Sequence, residues 1–220
     1  MVDVNKTIIM MIMDASGSMQ GKRHNAAVGG YNEFISGQRE VSGKCLVSFV
    51  TFNTRMSEIY TMKDINEIGE LRAFSCGGNT AIYDVLGGSI VSLGYRLSEM
   101  DESDRPGKVI VVLMTDGEEN SSREYSYDQV KEMMDHQHGV YGWEFVIMGS
   151  KDISVSSIRG IAGECGPCGP KGMQFDIDNE RMTKCAYSVT SDAVSRFRRG
   201  VDSEVGYGGA GDVYIVEEDA

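Results

Sequence analysis

The sequence predicts an α/β domain in which a doubly wound, mostly parallel sheet has one antiparallel edge strand and helices on both faces. Strand and helix patterns alternate along the chain, which is typical of this architecture. The apolar runs Thr7–Met13 and Val109–Met114 are unbroken, as in strands buried on both faces. Ala81–Met100 carries an apolar residue every three or four positions, as does a helix with one face on a sheet. We therefore expect right-handed βαβ crossovers.

The other elements follow from the same two periodicities. A turn at Asn53-Thr54 predicts that Met56–Met62 returns as a short antiparallel edge strand, and 64–74 is expected to be a short helix or loop. The remaining strands are predicted at Cys45–Phe52, Trp143–Met148 and Met173–Ile177, and the remaining helices at Arg23–Gln38, Tyr127–Gln137, Ile153–Ala162 and Glu180–Arg199.

Composition divides the chain into residues 1–199, expected to form one domain, and residues 200–220, expected to form a flexible tail rich in Gly and acid. The tail carries six acidic residues and no Lys or Arg. Docking of Val213–Val216 as a further strand is the less favoured alternative.

Charge and cysteine usage exclude several classes of function. The net charge of −12 over 220 residues argues against a nucleic-acid partner, which requires a positive surface. The first residues lack the basic start of a signal peptide, and no apolar run approaches the length of a membrane span. Five scattered cysteines do not suggest a secreted disulfide framework. We expect a cytoplasmic protein (of the host cytoplasm or a virion, if it is viral) without a membrane partner.

A carboxylate and two hydroxyls follow the first buried strand, in Asp14-Ala15-Ser16-Gly17-Ser18. Ligands of open parallel sheets bind at the carboxyl ends of the strands. A tight loop can turn Asp14, Ser16 and Ser18 toward one point, and oxygen ligands suit a hard cation such as Mg²⁺. Three such groups do not complete an octahedral shell, so other loops or water must contribute.

Two later segments can supply the missing oxygens. One is Gly77–Asp84, which contains Thr80, and the other is the end of the Val109 strand at Thr115-Asp116-Gly117.

These three segments, in this order, resemble the von Willebrand factor A domain with its metal ion-dependent adhesion site. The resemblance extends from about residue 6 to about residue 199 and is strongest to small stand-alone intracellular A domains of bacteria and phages. It implies that Ser16, Ser18 and Thr80 bind a divalent ion directly, while Asp14 and Asp116 act through water or supply charge. The implied ion is Mg²⁺, with Mn²⁺ or Ca²⁺ as alternatives.

The implied function is metal-dependent binding of a protein partner, without catalysis. Neutral ligands leave the ion electrophilic toward an Asp or Glu carboxylate that the partner brings to an open coordination position. Each segment also has a local alternative: Asp14 and Ser16 as a turn and helix cap, Thr80 as the cap of the next helix, and Asp116-Gly117 as an ordinary turn.

Two other functions remain as alternatives. A strand that ends in Asp14 is also found in phosphatases with an aspartate nucleophile, but these need an acid two residues later, where this chain has Ser16. A phosphate-ester hydrolase is therefore less favoured. The third alternative is a structural component whose metal site is vestigial.

Two further motifs are given no functional role in the preferred interpretation. Glu118, Glu119 and Asn120 could hold a second cation or tune the choice of partner, although a solvated loop is the preferred interpretation. Cys165-Gly166-Pro167-Cys168 matches a thioredoxin-type redox motif, but no helix is predicted to start there, so a tight loop is preferred.

Overall fold

Seven strands are present in a computed structural model that describes residues 2–154, 171–203, 205 and 214–216. In chain order they are β1 (Asp3–Asp14), β2 (Lys44–Phe52), β3 (Met56–Asp64), β4 (Pro106–Thr115), β5 (Glu144–Ser150), β6 (Lys171–Phe175) and β7 (Tyr214–Ile215). They form one sheet in the order β3-β2-β1-β4-β5-β6-β7. Only the β2–β3 pairing is antiparallel among these strands.

Four α-helices lie within the same described ranges. They are α1 (Lys22–Arg39), α2 (Ile82–Ser98), α3 (Tyr127–Tyr141) and α4 (Glu180–Arg198). Short 3-10 helices occur at Gly17–Met19, Ile65–Glu67 and Glu102–Asp104. No helix in this part of the chain is long and apolar enough to cross a membrane.

The central strand β1 separates two apolar cores. Ile9, Met11 and Met13 face the core that contains residues of α1 and α4. Ile8, Met10 and Ile12 face the opposite core, to which α2 and α3 contribute. Alternate residues of a strand point to opposite faces, so a strand covered on both faces must be apolar throughout. This explains the unbroken run in β1.

The register of the central strands determines where the polar loops meet. Strand β1 pairs in parallel with β4, with Met13 opposite Met114, and with β2, with Asp14 opposite Phe52. Asp14 and Thr115 are therefore the last residues of two neighbouring strands. The loops after β1 and β4 leave the same edge of the sheet side by side.

The predicted fold class is confirmed, including the antiparallel edge strand β3. The third helix is longer than predicted and ends at Tyr141, followed by Gly142, whose left-handed φ of 65° allows it to cap the helix. Within residues 200–220, Tyr214–Ile215 form the short strand β7, which pairs with β6. Most of the predicted helix 153–162 and all of the Cys165–Cys168 motif lie outside the described residues.

Candidate metal centre

Asp14 organises the loop that follows β1. Its side chain is fully buried, and its two carboxylate oxygens accept different hydrogen bonds. Oδ1 accepts the backbone N–H of Ser16 at 2.7 Å, and Oδ2 accepts the Thr115 hydroxyl at 2.6 Å. Asp14 therefore shapes its own loop and joins it to the end of β4.

A chain of hydroxyls leads from this buried carboxylate toward solvent. The Ser16 and Ser18 Oγ atoms are 2.9 Å apart, and the Ser18 hydroxyl donates to Asp116 Oδ1 at 2.8 Å. Ser16 and Asp116 are buried, whereas Ser18 is exposed. The oxygen cluster is thus accessible from the Ser18 side.

Thr80 enters the same cluster from the loop before α2. A methyl group added at Gly117 would lie 3.4 Å from Thr80 Oγ1 and 4.0 Å from Ser18 Oγ, so both hydroxyls border the space beside this glycine. The Thr80 N–H donates to Asn120 Oδ1 at 3.0 Å, and the Asn120 N–H donates back to the Thr80 carbonyl at 3.0 Å. This reciprocal pair fixes Thr80 against the loop after β4.

The Ser16 and Thr80 hydroxyls do not cap helices, which was the local alternative for each of these residues. Ser16 is the N-cap of the 3-10 helix Gly17–Met19, but its side chain makes no capping hydrogen bond. The N-cap of α2 is Ala81, not Thr80. Only the turn alternative for Asp14 is present, as its hydrogen bond to Ser16. The Ser16 and Thr80 hydroxyls thus face the cluster without capping a helix.

Burial makes the ionised form of Asp14 costly. Desolvation raises the pKa of Asp14 to about 6 and outweighs the opposing effect of its hydrogen bonds from Thr115 and Ser16, while the nearby charge of Asp116 raises it further. A cation close to this carboxylate would favour the ionised form. The cluster is therefore electrostatically suited to a positive ion.

Arg23, in the first turn of α1, is the principal site residue that the sequence analysis missed. Its Nη1 donates to Asp116 Oδ2 at 2.9 Å, and its Nη2 donates to Asp152 Oδ2 at 2.9 Å. Its Nε and Nη2 also donate to the two oxygens of Asp178 at 2.8 and 2.7 Å. These hydrogen bonds raise the pKa of Arg23 and lower that of Asp178.

One sequence signal could have indicated this network. The first turn of α1 contains no acidic residue and two basic ones, Lys22 and Arg23. A cation at a helix N-terminus is unfavourable because the helix dipole is positive there. An acidic partner from another segment was therefore to be expected.

The loop after β4 is held in place by carboxylates, although Glu118 and Asn120 are exposed, as predicted for a solvated loop. Glu119 accepts hydrogen bonds from the backbone N–H groups of Tyr83, Ser121 and Ser122. Asp84 accepts from the backbone N–H groups of the next three residues, 123–125. The two carboxylates tie this loop to the start of α2, next to Thr80.

The donor set fits a hard divalent cation. Hydrogen bonds join Asp14, Ser16, Ser18 and Asp116 in series, and the hydroxyls of Ser18 and Thr80 border the space beside Gly117, so these groups are all oxygen donors of the kind that such a cation prefers. The described residues contain no group of three His, Cys, Asp or Glu side chains that could hold a metal. An ion bound here would therefore depend on hydroxyl oxygens and water, which disfavours soft metals.

Comparisons with known proteins identify the fold. No protein-family model matches the sequence, and no curated protein matches it. Among solved structures, proximal thread matrix protein 1 from the mussel byssus matches with a TM-score of 0.54 and 19% identity, over 84% of this chain and 46% of that one. A von Willebrand factor type A protein from Catenulispora acidiphila matches with a TM-score of 0.55 and 13% identity, over 86% and 43%.

A third structure agrees with these two. The ArnB paralog VWA2 from Sulfolobus acidocaldarius matches with a TM-score of 0.51 and 16% identity, over 85% of this chain and 45% of that one. The present chain spans less than half the length of each of the three proteins. The strand order, the helices on both faces and these matches together show that the chain has the von Willebrand factor A fold.

Proposed function

We propose that this chain is a metal-dependent protein-binding module. A divalent cation, Mg²⁺ in preference to Mn²⁺ or Ca²⁺, is held by Ser16, Ser18 and Thr80 with the negative charge of Asp14 and Asp116. When bound, it supplies an electrophilic centre for an Asp or Glu carboxylate of a protein partner. The observation that carries the proposal is the chain of hydrogen bonds from Ser16 through Ser18 to Asp116, with the Ser18 and Thr80 hydroxyls both bordering the space beside Gly117.

Asp14, Ser18 and Gly117 have different roles in the proposed site. Asp14 uses both carboxylate oxygens within the protein, so its role is to shape the loop and to supply charge. Ser18 is exposed, which supports approach of the partner's carboxylate from its side of the cluster. Gly117 supports access as well, because a side chain there would occupy the space beside the Thr80 hydroxyl.

The geometry favours binding over phosphate-ester hydrolysis. A nucleophilic carboxylate must reach the substrate phosphorus, but Asp14 is fully buried and both of its oxygens accept protein hydrogen bonds. The position two residues later is Ser16, which is not a general acid at neutral pH. Both features support a site that holds an ion and breaks no bond.

Metal binding is tested first, without a partner. Isothermal titration of the full chain with MgCl₂ is expected to show one site, and Ser18→Ala or Thr80→Ala is expected to weaken it by about tenfold or more because each removes an oxygen ligand. Ser103→Ala is the matched control, since this exposed serine precedes β4 at the opposite edge of the sheet. Equal affinities in all four proteins would contradict the proposed site.

Partner binding is tested next. Affinity capture from the source cell is compared in Mg²⁺, in EDTA and with the Asp14→Ala variant, and a captured protein is then titrated in purified form. The proposal predicts binding in Mg²⁺ alone, lost when an Asp or Glu of the partner is replaced. Binding that is the same under all three conditions would refute it. Metal-dependent turnover of p-nitrophenyl phosphate, lost with Asp14→Ala, would instead favour the hydrolase.

A further inference from the structure

Arg23 occupies a position that the proposed metal site alone does not explain. Its side chain is only one-fifth exposed and makes four hydrogen bonds to three aspartates from different segments. Asp116 follows β4, Asp152 follows β5 and Asp178 follows β6. One guanidinium thus joins α1 to the carboxyl ends of three neighbouring parallel strands.

Its contact with Asp116 differs from the other two. The Asp116 side chain is fully buried, whereas those of Asp152 and Asp178 are about half exposed at 49% and 52%. A charge-assisted hydrogen bond is electrostatically stronger where its surroundings exclude water. The bond from Arg23 therefore fixes the orientation of the Asp116 carboxylate, while the outer aspartates hold the guanidinium in place.

The two oxygens of Asp116 are consequently assigned to different partners. Oδ2 accepts from Arg23, and Oδ1 accepts from the Ser18 hydroxyl. We propose that Arg23 is a positioning residue that keeps Asp116 from binding the divalent ion directly and lowers the affinity of the site for the ion. This inference rests on the proposed metal site.

The physical consequence concerns the strength of the ion as an electrophile. A carboxylate bound directly to the ion would neutralise more of its charge than a neutral hydroxyl does. Arg23 competes for that carboxylate and adds a positive charge beside the site, so it weakens metal binding while preserving the attraction for an incoming carboxylate. Arg23 thereby lowers the affinity of the site for the metal ion and preserves the affinity of the bound ion for the partner's carboxylate.

The experiment is titration of the full chain with Mn²⁺ alone, with the free ion followed by its electron paramagnetic resonance signal. Arg23→Gln is expected to bind Mn²⁺ about tenfold more tightly, because a positive charge next to a divalent ion is removed. Arg23→Lys keeps the charge and is expected to remain within about threefold of the wild type. Arg96→Gln removes the same charge from a more exposed pair with Glu58 and is the control for the change in net charge.

The outcomes separate this inference from the proposed function. If the wild type binds Mn²⁺ and folded Arg23→Gln binds it equally or more weakly, the inference fails and the metal site stands. If neither protein binds Mn²⁺, the metal site fails and the inference with it. Binding by Arg23→Gln alone would support the inference strongly.

A second variant decides the matter if Arg23→Gln does not fold. Asp178 accepts two of the four hydrogen bonds of Arg23, so Asp178→Asn directs more of the guanidinium charge toward Asp116. Mn²⁺ is then expected to bind about threefold or more weakly. Asp135→Asn, which breaks the surface pair with Lys131, controls for the change in net charge. Equal affinities in these two variants would overturn the inference.

Discussion

Replacing Asp14 by Asn is expected to stabilise the metal-free protein while it greatly reduces stabilisation by metal. Asn matches the shape of Asp14 and keeps an oxygen that can accept the Ser16 N–H. Its amide can donate to the Thr115 hydroxyl, which in turn can donate to the Gly117 carbonyl. The substitution therefore removes a buried charge with little loss of hydrogen bonding.

The magnitude follows from the raised pKa of Asp14. A rise from about 4 in the unfolded chain to about 6 in the folded protein corresponds to about 3 kcal/mol of unfavourable free energy above pH 6. Asp14→Asn removes this cost, although less favourable hydrogen bonds of the Asn side chain offset part of the benefit. We therefore expect the free energy of unfolding to increase by about 1–3 kcal/mol at pH 7.5. In a chain of this size that corresponds to an increase in Tm of about 2–12 °C.

The pH dependence has a definite sign. Below pH 4 the carboxyl of Asp14 is protonated in both states and costs nothing. Between about pH 4 and 6 the unfolded chain releases this proton before the folded protein does, so the contribution of Asp14 to stability becomes less favourable as pH rises. Above pH 6 the cost is complete. Asp14→Asn has no carboxyl at this position, so its free energy of unfolding lacks this dependence on pH.

Urea unfolding in EDTA measures these quantities. The single tryptophan, Trp143, is buried and reports unfolding by its fluorescence. In saturating Mg²⁺, the wild type is expected to gain about 2.7 kcal/mol at one hundred times the dissociation constant, and Asp14→Asn is expected to gain much less. A metal-free variant less stable than the wild type at pH 7.5, or an unchanged pH slope, would refute the electrostatic reasoning.

Two further predictions concern the contact between α1 and α4. A Cβ at Gly30 would lie 2.1 Å from the ring of Tyr187, so Gly30→Ala should destabilise the fold by about 1–3 kcal/mol. A Cβ at Gly29 meets no atom within 4 Å, so Gly29→Ala should be neutral or stabilising. Urea unfolding of the two variants tests this, and equal stabilities would contradict it. Gln38→Ala should cost about 2–4 kcal/mol, because buried Arg198 donates to the Gln38 side chain and the Gln38 amide donates to the Ser191 carbonyl. Thermal unfolding of the variant tests this, and an unchanged Tm would contradict it.

The parts of the fold that were predictable from sequence are those determined by local periodicity. The continuous apolar run of β1 and the helical spacing in α2 each describe one element against one environment. The candidate ligands that follow β1 and β4 could also be predicted from the sequence, because parallel strands bring their carboxyl ends to one edge of the sheet whatever the details of packing. Asp14 and Thr115 could therefore be placed near each other before any distance was known.

Contacts between charged residues far apart in sequence were not predictable in this way. Arg23 lies 93 residues from Asp116 and 155 from Asp178, and nothing in the periodicity of α1 specifies those partners. Glu119 was predicted to lie in a solvated loop, yet it is half-buried and accepts the Tyr83 N–H at the start of α2. Such pairings depend on how whole elements pack, which local patterns do not encode.

The arrangement of charges gives a physical reason for the position of the site. A buried carboxylate such as Asp14 destabilises the fold when ionised, and Arg23, whose charge offsets the neighbouring acids, is directed at Asp116 instead. The cost at Asp14 therefore persists until a cation arrives on the side of Ser18. Binding the ion would relieve this cost, so part of the affinity comes from strain already stored in the folded protein. The proposed site would therefore couple metal binding to stability even though most of its proposed direct ligands are neutral hydroxyls.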